Sequence, residues 1–313
     1  MFASRGSRIT VVLAFAVMAA TLHVAGAATV KTSKSASKTT SAISLPDALQ
    51  VDNTGDAAVP TTVGQAEDAA WVPPAGALAA KRELFAFEYP YVARNLALAA
   101  VNPSFDSGSI VCPVFASGRE IGAAGSATDC DPPPANYELA SAPLDYQRKT
   151  YTCGPASTRL VLWQMTGSAA HDEDYYASKE HTTTDGTVAN SIAKTLTNEQ
   201  SRDTFILDVP DQPADYMTML AGATYKEGHE IVNNVLTKPL SFWGAHASRH
   251  YDVSYGYRSA AGGYVYMVEE WNPVQFGISL QHYGGQNPYG HHYEPLKNVF
   301  AAVHTSTSQG VIW

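Results

Sequence analysis

The chain has 313 residues, 45% of them apolar and 16% charged, with a formal net charge of −9. That places it among ordinary globular chains, long enough for one sizeable core or two modest ones. An acidic balance without a basic stripe gives no electrostatic footprint for nucleic acid or anionic lipid.

Arg5 and Arg8 precede an apolar run from Ile9 to Leu22, and the small residues of "VAGA" follow before Ala28. This is the pattern of a secretory signal peptide over 1–27, cut after Ala27, which places the mature protein outside the cell or in the cell envelope. Two Arg and no acid leave with it, so the net charge of −9 becomes −11. No later stretch approaches the apolar length that crosses a bilayer. Residues 28–44, rich in Ser, Thr and Lys, read as a disordered tether.

From 45 to 140 the chain reads as an N-terminal extension, an accessory region or a propeptide. Within it, 75–89 predicts a short helix or strand edge, and 103–137 a long loop. Three cysteines in an exported chain leave one over. A Cys112–Cys130 disulfide would close a loop of a size worth roughly 3 kcal/mol and leave Cys153 as a thiol. A Cys130–Cys153 pair, an intermolecular bridge or an inert buried thiol are the alternatives.

"CGPASTRLVLWQMTG" predicts a helix from Cys153 to Gly167, with Pro155 in the first turn, where its missing N–H costs nothing. Val188, Ile192 and Leu196 recur every four residues, which predicts a second helix over 185–198. A third is expected around 227–237. "RHYDVSYGY" and "GYVYMVEEW" flank "RSAAGG", a β-hairpin signal. Helices followed by sheet make an α+β arrangement, with the better-defined domain over 141–313.

A thiol at a helix N-terminus is biased toward thiolate by the dipole and by unpaired backbone N–H groups. An imidazole beside it would serve as acid and base. A hairpin centred on Ala261 puts His250 opposite Asn272, within reach for an Asn to orient the ring, unless a bulge shifts the register. His246 is the rival base and Glu270 the alternative carboxylate. Gln147, six residues before Cys153, is placed to donate to an oxyanion.

Gln147 before "CGPAS", then "RHYDVSYGY", then "WNP", resembles the bacteriocin-processing cysteine peptidase family and its secreted C-39-like relatives, within the papain-like superfamily. The likeness spans roughly 143–304. It implies a papain-like fold, with a catalytic helix packed on an antiparallel sheet, and a peptide or protein substrate. It also implies Cys153 as nucleophile, His250 as general base, Asn272 as third member and Gln147 as oxyanion donor, with no cofactor and no metal. Many relatives have Asp-Pro where this chain has Asn272-Pro273, the plant-type "CGSCW" is absent, and no transporter segment is attached. An amidase or acyl transferase on the same thioester chemistry is one alternative, and a non-catalytic exported binding module another. His282, His291 and His292 fall in a Gly/Tyr-rich segment without a recognised metal-ligand spacing. "DEDYYASKE" lacks the positions of a calcium loop. No oligomeric state is encoded.

Overall fold

A computed structural model describes residues 60–102, 133–140, 143–304 and 310–313. The expected signal peptide and tether, and both Cys112 and Cys130, lie outside the described residues. The helices are α1 (Val63–Ala69), α2 (Ala75–Val101), α3 (Cys153–Thr166), α4 (Glu173–Lys179), α5 (Ala189–Glu199), α6 (Pro213–Ala221) and α7 (Leu296–His304). The strands are β1 (Asn136–Glu138), β2 (Leu207–Asp208), β3 (Ile231–Leu236), β4 (Arg249–Arg258), β5 (Tyr264–Glu269), β6 (Gly290–Pro295) and β7 (Gly310–Ile312). All seven strands form one antiparallel sheet in the order β2-β7-β3-β4-β5-β6, with β1 also paired to β4. The chain is therefore a mixed α+β protein.

Strand side chains alternate between two faces, and both faces of this sheet are covered. Val232, Val253, Val268 and Ile312 meet Leu160 of α3 and Ile192 and Leu196 of α5. Ile231, Val235, Val265, Met267 and Val311 meet Leu220 of α6 and Val299 and Val303 of α7 on the other face. Burying each such aliphatic side chain contributes about 1.5–3 kcal/mol relative to leaving it in water. Val92, Leu84 and Phe85 of α2 join this second core, so the N-terminal helices and the sheet share one compact unit. Helix α1 is pinned by its buried Asp68, which accepts from Lys194 Nζ (2.6 Å) and Ser191 Oγ (2.8 Å) and pairs with His181 Nδ1 (2.8 Å).

Helix α3 starts at Cys153 as its sequence predicts. It ends at Gly167, whose φ of 78° lies in the left-handed region that glycine enters without a Cβ penalty. Helix α5 and the β4–β5 hairpin also fall where the periodicities place them. The helix expected around 227–237 does not form. Gly222–Glu227 is a π-helical turn, Gly228 at φ 74° reverses the chain, and Ile231–Leu236 is strand β3 in the centre of the sheet. Helix α2 extends well past the expected 75–89, running through Pro90 to Val101. Among the described residues no helix is long and apolar enough to cross a membrane.

The hairpin register carries the main departure. Near the turn, Arg258 pairs with Tyr264 and Gly256 with Tyr266, the register of a hairpin centred on Ala261. A bulge between Ser254 and Gly256 then moves the pairing by one residue, so that Ser254 faces Met267 and Val253 faces Val268. An extra residue in one strand also flips the faces beyond it. Accordingly Tyr251 and Val253 belong to the α3–α5 core, whereas Tyr257 belongs to the opposite one. Gly256 is required beside the bulge: a Cβ there would lie 2.6 Å from the Tyr137 carbonyl oxygen of β1.

Candidate active site

The N-terminus of α3 meets the start of β4. The Tyr251 backbone N–H donates to Cys153 Sγ at 3.4 Å, and Cys153 is in no disulfide and fully buried. No side chain caps the first N–H groups of α3. Thr152, at the cap position, instead donates its hydroxyl to Glu173. Both Glu173 oxygens accept from the Arg148 N–H, at 2.9 and 3.0 Å. Glu173 thus holds the segment between Gln147 and Cys153, and burial pushes its carboxyl up to about 7 against the pull of the Thr152 and Arg148 hydrogen bonds.

His250 is fully buried on β4. Its Nε2 lies 2.6 Å from Glu269 Oε1 at the end of β5. Its other nitrogen, Nδ1, makes no geometrically complete hydrogen bond, and the group that reaches the ring from elsewhere is the Cys153 thiol. Burial works to lower the His250 pKa, but the Glu269 charge and the interaction with Cys153 outweigh it and hold the imidazole well above its ordinary value. An imidazolium, a helix N-terminus and the Tyr251 N–H all favour sulfur as thiolate.

Glu269 is fully committed. Oε1 also accepts from the Trp271 N–H at 2.7 Å, and Oε2 accepts from Trp243 Nε1 at 3.1 Å. The Trp243 ring lies 5.1 Å from the His250 ring, between centroids. The Trp243 ring therefore shields the buried imidazole–carboxylate pair, and a charge-assisted bond in such surroundings is stronger than in water.

Asn272 does not occupy the place expected of it. With the bulge, strand pairing ends at Glu269, and Asn272 sits beyond it at the start of a short 3-10 turn. Its Oδ1 has no hydrogen-bond partner, and the group that orients His250 is Glu269. Gln147 is brought to the site by its backbone N–H, which donates to the Glu270 carbonyl at 3.1 Å. Its Nε2 donates to the Lys149 carbonyl at 2.7 Å, which leaves a second amide hydrogen for another acceptor. His246 packs against Trp243 and Tyr283, with ring centroids 6.1 and 4.8 Å away.

The acidic surroundings are dense. Glu270 Oε1 accepts from Ser157 Oγ at 3.1 Å, and burial followed by the Glu269 charge drives its carboxyl well above the usual range. Asp252, two residues beyond His250, is pushed up to about 8 by burial and by Glu269, although Asn233 donates to it at 2.7 Å. Ligand atoms of His250, Glu269 and Glu270 lie within 4.8 Å of one another, as do those of Asp203, Glu227 and His229. In the first group three N–H donors already occupy Glu269; in the second, Lys81 occupies the position of a cation. His291 and His292 do not converge: one packs edge-on to Tyr255 and the other stacks on Phe242.

Glu269 and Trp243 are the residues that sequence reasoning missed. Adjacent acids closing an otherwise apolar strand, "YMVEEW", were the available signal, since buried carboxylates need partners. No family model matches the chain, and no curated protein matches it.

Proposed function

We propose that this chain is a papain-like cysteine hydrolase, exported from the cell and acting on peptide bonds. The observation that carries the reading is His250 held through Nε2 by Glu269 while its ring interacts with the Cys153 thiol at a helix N-terminus. A thiolate there attacks the scissile carbonyl carbon, forming a C–S bond. The oxyanion is met by backbone N–H groups at the start of α3 and by the second amide hydrogen of Gln147. As the C–N bond breaks, the imidazolium passes a proton from Nδ1 to the leaving amine, and a thioester remains. Water then adds to the thioester while His250 takes its proton, and the thiolate departs with the acid as product. Glu269 keeps the ring in one orientation throughout. The packing of α3 against an antiparallel sheet supports the papain-like fold, and the Arg-flanked apolar leader supports export.

Cys153→Ala is expected to abolish cleavage of a peptide library while leaving the far-UV spectrum and thermal midpoint of the wild type; retained cleavage overturns the assignment. The complete burial of Cys153 favours one other reading, a binding scaffold whose thiol never turns over. A thiol-directed activity probe separates the two: labelling at Cys153 in the native protein supports the hydrolase, and labelling only after denaturation supports the scaffold.

A further inference from the structure

We propose that Glu270 is a positioning residue of this hydrolase, a carboxyl that fixes the Cys153 helix against the strand end carrying Glu269. The role rests on the hydrolase reading above. Three placements support it. Ser157, one helical turn after Cys153, donates to Glu270 Oε1 at 3.1 Å. The Glu270 carbonyl accepts from the Gln147 N–H at 3.1 Å, which ties the oxyanion-side segment to the same residue. The Glu270 carboxyl also lies within 4.8 Å of ligand atoms of both His250 and Glu269. One residue therefore joins the three pieces of chain that supply nucleophile, oxyanion donor and acid–base pair.

Glu270 works in this role as a neutral acid. It is 1% exposed, and its Oε2 has no donor at all. Two adjacent carboxylates this close, in a buried site with one imidazolium, cannot both carry charge cheaply. Glu269 has three N–H donors and keeps the charge; Glu270 has one hydroxyl donor and takes the proton. The direction of its titration agrees, since burial and the Glu269 charge both hold the proton on. Neither Asp252 nor Glu173 can substitute: Asp252 is engaged by Asn233, and Glu173 by Arg148 and Thr152.

The test is the alkylation of Cys153 by iodoacetamide in the full chain, which needs no substrate, at pH 6 and pH 9. At pH 6 the rate reports the thiolate that His250 maintains, and at pH 9 it reports access to the thiol. Glu270→Ala is expected to lower the pH 6 to pH 9 rate ratio at least about ten-fold. Glu270→Gln, which keeps the acceptor for Ser157 and cannot ionise, should stay within about three-fold of wild type. Ser157→Ala should lower the ratio in the wild-type background and add nothing to Glu270→Ala. A variant that had merely loosened the fold would instead speed alkylation at both pH values. An unchanged ratio in Glu270→Ala overturns the role, and so does a Glu270→Gln as impaired as Glu270→Ala. Cys153→Ala is assayed alongside for peptide cleavage: if it still cleaves, the hydrolase reading falls and this role with it, whereas loss there with an unchanged ratio in Glu270→Ala removes the role of Glu270 alone.

Discussion

Among the described residues are two buried imidazole–carboxylate clusters that differ in what the second ring nitrogen does. His229 has both nitrogens committed: Nδ1 to the Glu230 carbonyl at 2.8 Å, and Nε2 to Asp203 at 2.7 Å and Glu227 at 3.2 Å. Lys81 of α2 closes that cluster, 2.6 Å from Asp203 and also bonded to Glu227. His250 has Nε2 on Glu269 and interacts with the Cys153 thiol, and its Nδ1 is in no other hydrogen bond. Burial opposes protonation of both rings, and neighbouring carboxylates override it in both. Charge state alone therefore does not separate a structural histidine from the one proposed as acid and base. A committed second nitrogen makes a clamp; an open one facing a nucleophile makes an acid and a base.

Glu269 is where that comparison breaks with the largest effect. Glu269→Gln keeps the volume but removes the charge and sets an amide N–H2 against the N–H donors of His250, Trp271 or Trp243. The expected loss in kcat/KM is at least about 100-fold, by analogy with removing the carboxylate behind any catalytic imidazole. A loss under ten-fold would mean that Glu269 only fills space.

The open nitrogen gives a second test. Because the His250 pKa is raised in the folded protein, its imidazolium is complete below the ordinary histidine value and disappears only as pH rises through the higher folded value. Alkylation of Cys153 should accordingly stay fast at pH 6, where an ordinary thiol is almost wholly protonated. His250→Ala should slow it about 100-fold at that pH and restore the ordinary rise near pH 8–9. Equal profiles in the two proteins would show that the thiol does not sense His250.

The clamp answers to a different measurement. Lys81→Met leaves Asp203 and Glu227 facing each other with only His229 between them. It should lower unfolding free energy by about 2 kcal/mol, discounted because both carboxylates keep some contact with water. Alkylation of Cys153 per folded molecule should not change. Asp203 has a depressed pKa, set by the His229 and Lys81 interactions outweighing burial, so its contribution is complete above its unfolded value and is lost as pH falls. His229 has a raised one, so its contribution is complete below its unfolded value and is lost as pH rises. The clamp is thus at full strength between about pH 4 and pH 6.5, which is where urea unfolding of the two proteins should differ most.

Much of this arrangement is legible in the residues themselves. Cys153 at a helix start, helix α5 and the paired strands of the hairpin all follow from periods of 3.6 and 2 with glycine at the ends. Strand β3 was not legible, because Asn233 and Asn234 interrupt its apolar run. Those amides are tolerated inside only because cross-strand partners exist: Asn233 donates to Asp252 and Ser254, and Tyr216 of α6 donates to Asn233. Such partners are contacts distant in sequence, and no local pattern encodes them. Helix α2 runs past the expected 75–89 although Pro90 removes one of its backbone hydrogen bonds, because Val92 and Leu96 pack onto the sheet core, a contact distant in sequence.

The bulge between Ser254 and Gly256 is the smallest of these illegible features and has the most direct consequence. A single extra residue leaves the hydrophobic pattern of "RHYDVSYGY" unchanged, yet it moves the end of the sheet by one position and turns the orienting role from Asn272 to Glu269. Asn272→Ala should therefore change kcat/KM by less than about three-fold, against the hundred-fold expected of Glu269→Gln. The two substitutions rank the registers directly. If Asn272→Ala were as damaging as Glu269→Gln, the working enzyme would have the unbulged pairing, with Asn272 drawn back opposite His250. A Tyr255 deletion would then swap the faces of His250 and Tyr251 and withdraw the imidazole from the thiol. With the bulge in place, that deletion instead removes only the extra residue, and leaves Ser254 facing Met267 and His250 on the face it already has.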